Sequence, residues 1–158
     1  MRETVSPTPG SMLQTLKERR ERLHPNCVVC SPSNAHGLHL RFTACEDGSI
    51  EARFHCEQVF EGFENYLHGG IVSSLLDGAM TNCLFAHGHV ATTGELNVRF
   101  RRPVLAGKVA TVRAWIERSS PRLYVLKGEL LQEDVVKATA FGKFVAPHRS
   151  RVPGEDLS

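Results

Sequence analysis

Apolar residues recur along this chain with two different periods. Between 69 and 86, Ile71, Val72, Leu75, Leu76, Ala79, Met80, Cys83 and Leu84 fall at i, i+4, i+5, i+8 and i+9, the period of an α-helix. Their arc covers more than half of an ideal wheel, so the helix is expected to be buried. Ser74, Asp77 and Thr81 fill the remainder, with Asp77 and Thr81 neighbours at i, i+4. Elsewhere the pattern alternates, as in strands. Leu38, Leu40 and Phe42 form one such run, and Ile50, Ala52, Phe54 and Cys56 another after a turn at Glu46-Asp47-Gly48. Beyond the helix come Leu96, Val98 and Phe100, then Ala110, Val112, Ala114 and Ile116, then Leu123–Leu131 and Val135–Val145.

The connections are short, which implies antiparallel neighbours. A helix apolar over most of its surface is best covered by a strongly curved sheet. The expectation is an α+β fold of about six strands wrapped around one long central helix. Ser11 is expected to cap a short helix running to Leu23, in which Met12, Leu13, Leu16 and Leu23 give a modest apolar stripe. Residues 1–10 and 147–158 read as tails, and 11–146 as a single domain. Residues 24–37, rich in Pro, Asn and Gly, read as a loop.

Composition narrows the function classes. The 158 residues carry a formal charge of only +2, which gives no reason to expect nucleic acid. No apolar run reaches the ~18–20 residues of a membrane span, and Met1–Gly10 has no signal-peptide core. Five cysteines spread over this length read as reduced thiols, so a cytoplasmic protein is expected.

The chemistry-bearing stretch is His68-Gly69-Gly70, with Asp77 inside the helix that follows. Backbone N–H groups at a helix start receive developing negative charge. A carboxylate two turns on adds a base or a nucleophile, a pairing that suits acyl transfer. Partial burial would raise the carboxyl pKa and improve proton acceptance. A solvated polar stripe on a surface helix is the plainer reading of Asp77, and the glycine pair and the wide apolar arc weigh against it.

The run Phe60-Glu61-Gly62-Phe63-Glu64-Asn65-Tyr66-Leu67-His68-Gly69-Gly70, the segment Leu76-Asp77-Gly78-Ala79-Met80, and Asn97-Val98-Arg99-Phe100-Arg101-Arg102-Pro103 with Gly107 after it stand in a fixed order. In these features the chain resembles the hotdog-fold acyl-CoA thioesterases, in particular the branch of the phenylacetic-acid-pathway (PaaI-like) enzymes, over about Cys27 to Val145. The resemblance implies hydrolysis of an acyl or aryl-acyl CoA, without a cofactor. It also implies a homodimer with interfacial active sites, commonly paired into a homotetramer. By the same resemblance the Gly69 N–H polarises the carbonyl, and Asp77 acts as base or nucleophile. His68 is counted in this set, shaping the turn rather than serving as the base. Thr81, or Thr93 or Thr92 in the next strand, is the hydroxyl that helps to hold water. Glu61, Asn65 and Gly70 are candidates for substrate contact.

Other features are weighed against plain alternatives. Arg99, Arg101 and Arg102 could meet the CoA phosphates or form an ordinary solvated sheet face. Phe60, Phe63, Tyr66 and Phe85 could touch an acyl group or belong to the core. Cys27-Val28-Val29-Cys30 with His36 and His39 invites a zinc reading. The gap between the pairs is short for a zinc module and His39 falls in a strand pattern, so no metal is expected. No thioredoxin-like strand and helix follow the cysteine pair, so a redox role is not expected either. The rival functions are a non-catalytic acyl-CoA-binding hotdog module and a hotdog hydratase or dehydratase, for which no second catalytic group is identifiable.

Overall fold

A computed structural model describes residues 6–148. The expected tails therefore lie largely outside the described residues. Helix α1 spans Pro9–Leu23 and starts two residues earlier than expected. Its cap is Thr8, whose hydroxyl oxygen accepts the Ser11 N–H at 3.3 Å, so Ser11 lies inside the helix it was expected to cap. Pro9 suits the first turn because its missing N–H needs no partner there.

Six strands follow: β1 (Phe42–Ala44), β2 (Ile50–His55), β3 (Thr92–Phe100), β4 (Val109–Ser119), β5 (Leu123–Gln132) and β6 (Val135–Val145). A short 3-10 turn at Gln58–Phe60 precedes α2, which runs Gly69–Ala86 as the periodicity predicts. The strands form one antiparallel sheet in the order β1-β2-β4-β5-β6-β3. The hotdog arrangement expected from the resemblance is present: one helix held in a curved six-stranded sheet.

The core lies between α2 and the sheet's inner face. Leu75, Leu76, Met80 and Leu84 have no exposed surface, and neither do Ile50, Val112, Leu126, Leu130 and Phe144 facing them. Each such side chain contributes ~1.5–3 kcal/mol of burial. Two glycines set how closely the layers approach. A Cβ on Gly142 would lie 2.7 Å from the Phe144 ring and 3.1 Å from Met80 Sδ. A Cβ on Gly78 would lie 2.4 Å from Val29 Cγ1, so the loop after α1 rests directly on α2 there.

Two strand boundaries depart from the alternation. Residues 38–41 lie outside β1, because the Leu38 and Leu40 N–H groups donate to the Val28 and Val29 carbonyls at 2.7 and 2.9 Å. His39 sits at φ 51°, which no strand residue adopts. At the other end, β3 begins at Thr92, four residues before the first apolar position of its pattern. No helix among the described residues is long and apolar enough to cross a membrane.

Candidate active site

The start of α2 is built by His68. It is the N-cap, with extended backbone, and its Nδ1 accepts the Gly70 N–H at 2.8 Å. The N–H of Gly70, a candidate for substrate contact, is therefore occupied by the His68 cap. The Ile71 and Val72 N–H groups donate to the His68 carbonyl at 2.9 and 3.1 Å. Among the described residues the Gly69 N–H has no partner, so one donor of the first turn is left pointing away from the helix. Phe100 flanks it: a Cβ on Gly69 would meet the Phe100 ring at 3.4 Å. Phe100 is 56 % exposed and was not expected at the site. Its signal was available, since Leu96, Val98 and Phe100 share the helix-facing side of β3.

The preceding loop is tied down by its backbone. The Leu67 N–H donates to the Val104 carbonyl at 2.8 Å and the Ala106 N–H to the Asn65 carbonyl at 2.9 Å. Asn65 holds φ 66°, and its N–H donates to the Glu61 carboxylate. Glu61 and Asn65 are thus brought together, as partners in a turn. Of the aromatic candidates, Phe85 is core and stacks edge-on against His24 at 4.9 Å. Phe60 lies 5.4 Å from Phe54, while Phe63 is 85 % exposed.

Asp77 lies two turns into α2, half-buried. The Thr93 hydroxyl donates to its Oδ1 at 2.7 Å. Thr81, one turn on, makes no hydrogen bond to Asp77, and neither does Thr92; of the three hydroxyls, the structure brings only Thr93 to the carboxylate. Thr93 gets there through a bulge. On β3 the odd positions from Glu95 onward face outward, with Glu95 paired to Lys143 at 2.7 Å. Strict alternation would send Thr93 outward too. The register slips between Thr93 and Glu95, so Thr93 pairs with the buried Phe144 and turns toward the helix.

Burial pushes the Asp77 carboxyl above its ordinary range, and the Thr93 hydrogen bond pulls it back in part. Cys27 adds a smaller upward push and His24 a smaller downward one, so both lie within electrostatic reach of Asp77. Arg99 and Arg101 do not join this group. They line a groove of about 500 Å³ on the outer sheet face with Trp115. The Arg101 Nε donates to Thr139 Oγ1 at 3.3 Å, and Arg102 lies beyond the end of β3. His36 and His39 do not join the cysteine pair; His24 does, with Cys27 and Cys30.

Known proteins share both the sequence pattern and the fold. Residues 64–139 match the sequence pattern of the thioesterase superfamily. A putative thioesterase from Ralstonia eutropha JMP134, a phenylacetic acid degradation-related protein, is 28 % identical with a TM-score of 0.66, covering 74 % of this chain and 92 % of that one. The Escherichia coli PaaI protein of the phenylacetic acid degradation operon is 18 % identical with a TM-score of 0.75, covering 90 % and 97 %. A Streptococcus mutans UA159 protein bound to acetyl CoA is 13 % identical with a TM-score of 0.64, covering 68 % and 88 %. Motif, match and fold agree: residues 64–139 carry the thioesterase superfamily pattern, the chain has the hotdog fold, and it is similar to phenylacetic acid degradation proteins among its structural neighbours.

Proposed function

We propose that this protein is an acyl-CoA thioesterase that hydrolyses an acyl or aryl-acyl CoA to the free acid and CoA. The observation that carries the reading is the pairing on one helix of a partnerless N–H at Gly69 with a half-buried carboxylate, Asp77, held by Thr93. The thioester oxygen accepts the Gly69 N–H, which polarises the carbonyl. Asp77 takes a proton from water as the water oxygen bonds to the carbonyl carbon, or attacks that carbon itself to form an acyl anhydride, which water hydrolyses to the free acid once the thiolate has left. The C–S bond then breaks and CoA leaves as the thiolate. The Thr93 hydrogen bond fixes Oδ1 and leaves Oδ2 for this work.

The same geometry supports a dimer. Gly69 and Asp77 are eight residues apart, a rise of ~12 Å along the helix. A carbonyl oxygen must lie ~3 Å from its donor while the attacking atom lies ~3–3.5 Å from the carbon. One chain cannot serve both ends at once, whereas two chains related by a two-fold axis can place Gly69 of one beside Asp77 of the other. The edge strand β3, which carries Thr93 and is exposed along most of its length, is the natural seam for that pairing. Further pairing into a homotetramer and a cytoplasmic site of action belong to the same proposal, the latter supported by five free cysteines. The fold-mate that holds acetyl CoA supports a CoA ligand.

The test is thiol release from a panel of short, medium, long and aryl acyl-CoAs, with Asp77→Asn alongside. Turnover that disappears in the variant, with folding intact, is expected. CoA binding without release of thiol from any thioester would replace the enzyme with a binding module.

A further inference from the structure

Three groups outside the acyl site converge at the end of α1. His24 is the C-cap of that helix, and Cys27 and Cys30 occupy the turn beyond it. One ligand atom from each lies within 4.8 Å of the other two. The His24 Nδ1 is 3.8 Å from the Cys30 Sγ. A tetrahedral ion with metal–sulfur bonds of ~2.3 Å and metal–nitrogen bonds of ~2.0–2.1 Å holds its ligand atoms ~3.5–3.8 Å apart. The cluster meets that requirement with small side-chain adjustments.

The cysteine turn presents a backbone donor to one of the two sulfurs. The Val29 N–H donates to the Cys27 Sγ at 3.3 Å. Asn82 is 1 % exposed, and its Oδ1 is the one buried side-chain oxygen or nitrogen without a partner among the described residues. The Phe85 ring, edge-on to His24, fixes the plane of the imidazole.

We propose that His24, Cys27 and Cys30 form a binding site for one thiophilic divalent cation, zinc by the chemistry of the donor set, with the fourth position open to water. Binding releases the protons still held on the two thiols and leaves both as thiolates. The Cys-x2-Cys spacing is that of metal-binding turns, and the third ligand lies upstream at His24 rather than downstream at His36 or His39. The cation ties the end of α1 and the cysteine turn together. Through Val29 on Gly78, that turn presses on α2 one residue past Asp77.

Cobalt(II) chloride added to the reduced, metal-stripped protein is the direct probe, followed by displacement with zinc chloride. The expected result is one equivalent bound, with sulfur-to-cobalt charge-transfer absorption and the intense visible bands of a tetrahedral ion. Cys27→Ser and His24→Gln, both at partly exposed positions, should weaken cobalt binding by more than the ~10–100-fold that loss of a supporting outer contact costs. Cys45→Ser, outside the cluster, should leave it unchanged. Zinc should raise the melting temperature of the parent protein and not that of Cys27→Ser. Absence of charge-transfer bands in the reduced protein overturns the proposal, as does their persistence in a Cys27→Ser/Cys30→Ser variant. A two-hydrogen mass loss locating a Cys27–Cys30 disulfide, with no metal uptake after reduction, also overturns it and assigns the pair to redox chemistry. These readouts do not depend on thioester turnover.

Discussion

Replacing Thr93 by Val removes one hydroxyl and keeps the branched shape of the side chain. The bond lost is an O–H donated to a carboxylate oxygen at 2.7 Å. Hydrogen bonds to charged groups contribute ~1.5–3 kcal/mol, and the half-buried setting of Asp77 places this one at the lower end, about 1.5 kcal/mol. Without it the Asp77 carboxylate is less favourable, so its already raised pKa climbs further. The acid limb of the pH–rate profile should move to higher pH, and turnover on that limb should fall about tenfold, the equivalent of ~1.4 kcal/mol. Stability should change in the same sense. Above the Asp77 pKa the folded state must hold a less supported carboxylate, and the melting temperature should drop by ~3–6 °C, taking ~2–4 °C per kcal/mol. Below that pKa the carboxyl is protonated and the two proteins should differ little. Thr93→Ser keeps the donor and Thr81→Val removes a hydroxyl that makes no bond to Asp77; both should behave like the parent. Calorimetry from acid to neutral pH, paired with a thiol-release assay, reads all of this. An acid limb that stays in place in Thr93→Val, or an equal effect from Thr81→Val, would refute the assignment of Thr93 as the partner.

Asp77→Asn should abolish nearly all turnover and yet raise stability at neutral pH. Its folded pKa is raised, so ionisation costs folding free energy from the ordinary carboxyl pKa upward; denaturant melts showing the variant weaker at pH 7 would contradict the sign. Gly78→Ala should destabilise by ~1–3 kcal/mol despite better helix propensity, because the new Cβ would lie 2.4 Å from Val29 Cγ1. Adding Val29→Ala should recover most of that loss, and a double-mutant cycle in urea measures it. His68→Ala should cost about 1 kcal/mol by freeing the Gly70 N–H from its cap, visible as a shift in the urea midpoint at unchanged slope.

The long helix was legible to the residue, because an apolar arc of eight positions leaves little ambiguity of period. Asp77 and Gly69 were legible for the same reason: the helix fixes where each falls. What the pattern could not carry was anything made by departures from regularity. The bulge at Gly94 reverses the facing of Thr93, and alternation alone sends that hydroxyl outward. Residues 38–41 alternate like a strand, yet Leu38 and Leu40 hydrogen-bond to the Cys27–Cys30 turn. The same alternation places His39 in a strand pattern. His24, before Pro25 at the end of a helix, carries no spacing signal that ties it to the cysteines. The occupied Gly70 N–H was equally hidden, since an imidazole cap leaves no spacing signature.

The helix that bears Asp77 is also the best-shielded element of the molecule, whereas the loop before it carries Phe63 at 85 % exposure. The two belong to opposite ends of the local-stability range. Amide exchange from the middle of α2 should occur only through global opening, so heat inactivation should follow unfolding of the whole chain rather than precede it. Residues 57–67, with most of their side chains in solvent, can change composition at little cost to the core. On the proposed function, selection acting on such a chain has a fixed reaction centre and a replaceable rim, and new substrate preferences can accumulate on the rim while the helix stays as it is.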